Sequence, residues 1–134
     1  MGEQMRHLAL TGISKDRIDD LIKKRVRTFE LRSAHNIPII CAAHVGDELF
    51  VTDASRHDLS IGTSGVLARL RDKTIAMQKV RHRVGDFYEE RELMSARVQL
   101  ELRELTCRLR AIEDKGPGKI LTVETSEVCH YEGR

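Results

Sequence analysis

The 134-residue chain has no tryptophan, and aromatic residues make up only 4% of it. Stacking platforms of the kind that grip single-stranded nucleic acid are therefore scarce. Proline occurs only twice, while 33% of residues are charged and 40% hydrophobic, which excludes a proline-rich low-complexity chain and predicts one folded domain over residues 1–134. No apolar run reaches the roughly 18 residues of a membrane-spanning helix, and MGEQMRHLAL lacks an apolar signal segment. A soluble, cytoplasmic chain with no membrane partner is the expectation. Cys41, Cys107 and Cys129 have no framework spacing, so reduced thiols are expected. GxSxG, HExxH, Walker and dinucleotide-binding glycine patterns are absent as well. Nothing predicts catalytic residues, a cofactor or an enzyme.

Charge of one sign looks equally scarce until it is divided along the chain. The total is 23 Lys plus Arg against 21 Asp plus Glu, yet residues 1–85 hold 15 against 10 and residues 86–134 hold 8 against 11. Sixteen of the cations are Arg, the better residue for bidentate contact with carboxylate or phosphate. The basic half thus suits an anionic partner or the acidic half of another copy.

Local signals divide the chain into residues 1–62, 63–115 and 116–134. In the first part, Leu8–Leu10 reads as a strand, and Ser14 as the N-cap of an amphipathic helix over 15–31 built on Ile18, Leu21, Ile22, Val26 and Phe29. Ile37–Val45 reads as a buried strand. Gly46-Asp47, with glycine first, predicts a type II′ hairpin joining it to Glu48–Thr52. The polar stretch 53–65 reads as a loop.

The strongest periodicity runs from Val66 to Ile112. Alternating steps of four and three place Leu70, Met77, Val84, Phe87, Met94 and Val98 in one series, which resumes after a stutter at Leu102, Leu105, Leu109 and Ile112. This predicts a coiled-coil-like seam, either one long bent helix or a helical hairpin breaking at Gly85-Asp86, and these ten residues are the expected oligomerisation surface. Lys115-Gly-Pro-Gly ends the segment, and 119–125 with 128–131 read as C-terminal strand. The predicted fold class is α+β: a small antiparallel sheet, an amphipathic helix and a long helical part.

Three constellations bear on function. Arg69, Arg71, Arg81 and Arg83, with Lys23, Lys24 and Arg25 on the first helix, form the candidate anion-binding surface, which an acidic protein or nucleic acid would meet through charge-assisted contacts. The alternative sets the basic segment against Asp86, Glu89, Glu90, Glu92, Glu101 and Glu104 within the molecule or across a dimer. Cys41, His44, Cys129 and His130 supply four zinc-type ligands, but adjacent and three-apart positions on a strand point to opposite faces, so no metal is expected. Gly62 and Gly65 of SIGTSG would place backbone amides at a helix N-terminus, where a phosphate binds. The functional expectation is a non-enzymatic regulatory or interaction protein, of adaptor or inhibitor type, which forms a homo-oligomer, most simply a dimer, and presents Arg-rich surface to an anionic partner. A nucleic-acid-binding protein and a nucleotide-binding protein are the alternatives.

Overall fold

A computed structural model describes residues 5–116 and 118–126. In order, β1 (Met5–Leu10), α1 (Lys15–Lys24), β2 (Val26–Leu31), α2 (Asn36–Ala42), β3 (Glu48–Val51), a 3₁₀ turn (Arg56–Asp58), β4 (Ser64–Val84), β5 (Phe87–Asp114) and β6 (Leu121–Thr125) follow one another. The strands lie in the order β2-β5-β4-β3-β1-β6, and β5 also pairs with β6. That extra pairing closes β5, β4, β3, β1 and β6 into a ring. Closure satisfies the strand edges that an open sheet would expose. All neighbours are antiparallel except β1 with β3, which run parallel through Ala9–Phe50 and Leu10–Val51.

The predicted long helix is the main correction. Residues 64–84 and 87–114 are strands paired from Ser64–Arg108 to Val84–Phe87, so the segment is a β-ribbon, with neither a coiled coil nor a helical hairpin. Steps of four and three that stay on one helix face alternately keep and switch faces on a strand, so the apparent seam divides between buried and exposed sides. The break at Gly85 does occur. Gly85 has φ +62 and Asp86 completes a two-residue turn, the pattern of a glycine-first type II′ hairpin, which the twist of the flanking strands favours.

The same dipeptide at Gly46-Asp47 makes no hairpin. Ile37–Val45 is not a strand: Asn36–Ala42 form α2, with Asn36, Ile37, Ile39 and Ile40 buried. Pro38 sits in the first turn, where its missing N–H breaks no helical bond. Asn36 Oδ1 accepts from Thr11 N at 3.0 Å and Nδ2 donates to Thr11 O at 2.9 Å, tying the helix to the end of β1. Lys73 Nζ donates to the carbonyls of Ile40, at 3.0 Å, and Ala43, placing an ammonium at the negative end of α2. The Gly46-Asp47 segment instead bonds to β4, Gly46 N to Leu70 O and Leu70 N to Asp47 O, both at 2.8 Å.

The first helix is also shorter than expected. Ser14 Oγ accepts from Arg17 N at 3.3 Å, and the helix stops at Arg25, whose φ of 74 is left-handed and whose N–H donates to Leu21 O at 2.7 Å. Val26–Leu31 then leave as β2, with Phe29 and Leu31 buried against β5. The core gathers Leu10, Leu21, Ile39, Ile40, Leu49, Phe50, Leu70, Val98, Leu100, Leu109 and Leu121. Gly65 packs against Phe50 so closely that a Cβ there would fall 2.6 Å from Phe50 Cζ and 2.5 Å from Val51 O. No helix among the described residues is long and apolar enough to cross a membrane.

Candidate functional site: a projecting β-arm and the cleft at its base

The β4–β5 ribbon outruns the sheet around it. β3 leaves β4 at Arg69, opposite Glu48, and β2 leaves β5 at Ala96, opposite Leu31. Beyond them, Ala76–Val84 and Phe87–Ser95 continue as two strands with no further neighbour among the described residues, an arm roughly 30 Å long at about 3.3 Å per residue.

A bulge sets which way the arm faces. Leu70 lies opposite Leu100 but Asp72 lies opposite Gln99, so Arg71 is an extra residue on β4. Before it the even-numbered Val66, Ala68 and Leu70 point into the core; after it the odd-numbered residues continue that face. Along the inward face the directly opposed pairs are Ile75–Ala96, Met77–Met94, Lys79–Glu92, Arg81–Glu90 and Arg83–Tyr88. Along the outward face they are Gln78–Leu93, Val80–Arg91, His82–Glu89 and Val84–Phe87. Met77, Val84, Phe87, Tyr88, Leu93 and Met94 are all exposed, Phe87 to 77% and Met77 to 58%. An isolated two-stranded ribbon is marginal in water, and its bare edges and apolar side chains are features that soluble chains ordinarily cover.

Where β2 ends, the arm borders a cleft of about 500 Å³ lined by Glu30 of β2 and Arg32 just past it, Ile37 and Pro38 of α2, and Glu92–Ser95 of β5. Its lining mixes apolar Ile37, Pro38, Leu93 and Met94 with charged Glu30, Arg32 and Glu92.

The expected anion-binding residues are dispersed and largely engaged. Arg71 Nη1 lies 3.2 Å from Glu101, Arg81 Nη2 lies 3.3 Å from Glu90, and Arg69 Nη2 lies 4.0 Å from Glu48, a carboxylate that Arg103 also meets at 3.3 Å. Arg83 Nε donates to Gly85 O at 3.3 Å, and the Arg81 guanidinium lies 5.5 Å from the centre of the Tyr88 ring. Lys23, Lys24 and Arg25 are exposed at the end of α1, apart from these.

The expected oligomerisation residues divide in two. Leu70, Val98, Leu102 and Leu109 belong to the core and Ile112 packs against it, whereas Met77, Val84, Phe87 and Met94 are on the arm and Leu105 is exposed nearer the barrel. Tyr88 and Leu93 of the arm were not singled out by the helical reading. A signal for them existed: Arg69, Arg71, Lys73, Lys79, Arg81 and Arg83 all occupy odd positions, a two-residue period that belongs to a strand.

The remaining constellations do not assemble. SIGTSG leads into β4, so no helix N-terminus follows Gly65. Cys41 and His44 are exposed, Cys129 and His130 lie outside the described residues, and no group of three or more metal-type ligands exists among those described. His35 meets His57 edge to face at 5.6 Å between centroids. Nearby, Arg56, with only 3% of its side chain exposed, binds Asp114 through Nη2 at 2.7 Å and Nε at 3.2 Å. The hydrogen bond from Arg56 and another from the Gly116 N–H hold the Asp114 carboxyl below the usual carboxylate range. This pair fastens the 3₁₀ turn to the β5–β6 connection, where Arg56 also donates to the Lys119 carbonyl at 2.9 Å.

The barrel and the ribbon leaving it lie almost wholly within residues 5–123, which match the family model described as protein of unknown function (DUF473). The chain belongs to the DUF473 family. A relative from Methanocaldococcus jannaschii, uncharacterized protein MJ0105, is 33% identical over 101 residues, covering 75% of this chain. The match spans 63% of that relative, less than two thirds of its length. No solved structure matches the chain.

Proposed function

We propose that this DUF473 protein is a non-enzymatic interaction protein that works by holding its β-arm out from the barrel to dock another macromolecule. The observation that carries this reading is the arm itself: a two-stranded ribbon with bare edges and exposed Met77, Phe87, Tyr88, Leu93 and Met94, attached to a core that it does not help to fill. Apolar surface of this kind lowers solubility unless a partner covers it, so its presence supports a binding role.

Two measurements test the proposal. Replacing residues 77–94 by Asn-Gly leaves the opposed pair Ala76–Ser95 flanking a short turn, and is expected to change the melting temperature by less than about 3 °C. A photo-crosslinking residue at Leu93 is expected to give covalent adducts in the native cell, while the same residue at Arg103 on the barrel gives none. A shortened chain that fails to fold, or equal adducts from both positions, would overturn the reading.

A second reading retains an anionic partner, and its support is the cation cluster Lys23, Lys24 and Arg25 at the exposed end of α1. Nucleic-acid binding there would weaken steeply with salt and disappear on reversal of all three charges.

A further inference from the structure

Regular antiparallel pairing decides which groups the bare edge of β5 presents. Leu102 N donates to Arg25 O at 2.8 Å, so Leu102 turns its backbone groups toward β2. The pairing with β2 runs without interruption from Glu101 to Ala96, and that with β4 from Gln99 to Phe87. Every second residue back along β5 therefore faces the same way. Past the end of β2, Met94, Glu92, Glu90 and Tyr88 direct their N–H and C=O groups at an edge with no strand beside it among the described residues. An incoming antiparallel strand must match its own outward-facing residues to these four.

We propose that the occupant of this edge is the same edge of a second copy: β5 pairs antiparallel with β5 about a two-fold axis through Glu90, and the two arms merge into one four-stranded sheet. This rests on the reading of the arm as a docking element and names its partner. The axis at Glu90 sets Phe87 opposite Leu93 of the second copy and Glu89 opposite Arg91 of the second copy, each twice by symmetry. Two apolar pairs and two ion pairs result, all on the outward face, and exposed Phe87 and Leu93 become neighbours. On the inward face Tyr88 meets Glu92.

Shifted registers are worse. An axis through Arg91 places Arg91 on Arg91 and Glu90 on Glu92; an axis through Glu89 places Glu89 on itself and leaves Leu93 opposite Gly85. The chosen register has one like-charge meeting, Glu90 with Glu90, and each of these carboxylates already has Arg81 of its own chain at 3.3 Å. A closed two-fold also ends the assembly at two copies, where a head-to-tail addition of arms would continue into fibres.

The shape of the molecule suits this arrangement. Antiparallel arms place the barrels at opposite ends of the shared sheet, clear of each other. Each tip then reaches the cleft at the base of the other arm, where Ile37, Pro38, Leu93 and Met94 offer apolar lining to Phe87. The cleft lies where β2 stops, which is where the incoming strand of the second copy takes over the edge.

Sedimentation of the full chain tests this, with four arm-charge samples. The wild type is expected to dimerise with a Kd below roughly 100 µM. Glu89→Arg and Arg91→Glu each create two like-charge pairs and should weaken the dimer about tenfold or more. The double swap E89R/R91E, and an equimolar mixture of the two single variants, should regain the wild-type affinity to within about threefold. Far-UV circular dichroism of each variant separates folding from association. A wild type that stays monomeric, single variants that dimerise as tightly as wild type, or a swap and a mixture that both fail to recover would each overturn the pairing. If the chain is monomeric while the 77–94 replacement melts like the full chain, the pairing falls and the docking reading survives; if the replacement does not fold, both fall.

Discussion

One ribbon serves two purposes at its two ends. At its base, Leu70 opposite Leu100 is wholly buried; on the arm, Met77 opposite Met94 is exposed, although both pairs join the same two strands. Strand pairing runs through both places, with a bulge beside Leu70 and without interruption along the arm. What differs is the third body: at the base β2, β3 and the helices cover the faces and edges, while the arm has only its own two strands. Hydrogen-bonded pairing therefore sets the geometry of the whole ribbon, but burial decides which part is core.

The sharpest way to break this comparison is to truncate one leucine in each region. Leu100→Ala removes a buried side chain and should cost about 3 kcal/mol, within the usual range of such cavities, whereas Leu93→Ala should stay within about 0.5 kcal/mol. Denaturant unfolding measures both, and comparable losses would show that the arm is part of the core.

Two glycines make the same comparison with added rather than removed atoms. Gly65→Ala forces a methyl against Phe50 and the Val51 carbonyl and should destabilise the barrel by about 1–3 kcal/mol. Gly85→Ala meets no neighbour, but its φ of +62 disfavours an L-residue, so a cost of roughly 1 kcal/mol should fall on the turn alone. Amide exchange would register it near Asp86 with the melting temperature of the barrel unchanged.

The smallest effect concerns acid. The carboxyl of Asp114 is held below its ordinary range by Arg56 and the Gly116 N–H, so its contribution to stability is complete above the unfolded value, roughly 3.9, and lost as pH falls through the lower folded value. Asp114 is 40% exposed, and solvent screening keeps the contribution modest. Asp114→Asn should flatten the acid limb of the stability curve below about pH 4 while leaving arm-dependent association untouched. A steeper acid limb in the variant would contradict the assignment.

Much of the domain was legible before folding. Leu8–Leu10 and Glu48–Val51 announce strands, Ser14 and Asp16 start α1, the polar stretch from 53 holds no strand until β4 begins at Ser64, and Gly85-Asp86 marks the turn of the ribbon. The errors share one cause. Apolar residues at spacings of three and four, as in Val26 and Phe29 or Met77, Val80, Val84 and Phe87, satisfy a helix locally, and nothing nearby states that Phe29 pairs with Val98 or Met77 with Met94. The apolar stretch at 37–45 fails in the opposite direction, because a short helix buried on nearly every side and a buried strand have the same composition.

The sequence by itself determined the start of α1 after Ser14, the turn at Gly85-Asp86, which stretches carry charge of each sign, and that a basic half would precede an acidic one. The tertiary structure alone decided that these halves lie side by side as strands, with Arg81 at Glu90 and Arg71 at Glu101. It also decided that the ribbon outruns the sheet, because the length of a strand's neighbours is a property of distant segments. Periodicity reports which face of an element is apolar; only the packing of the whole chain reports whether anything covers it.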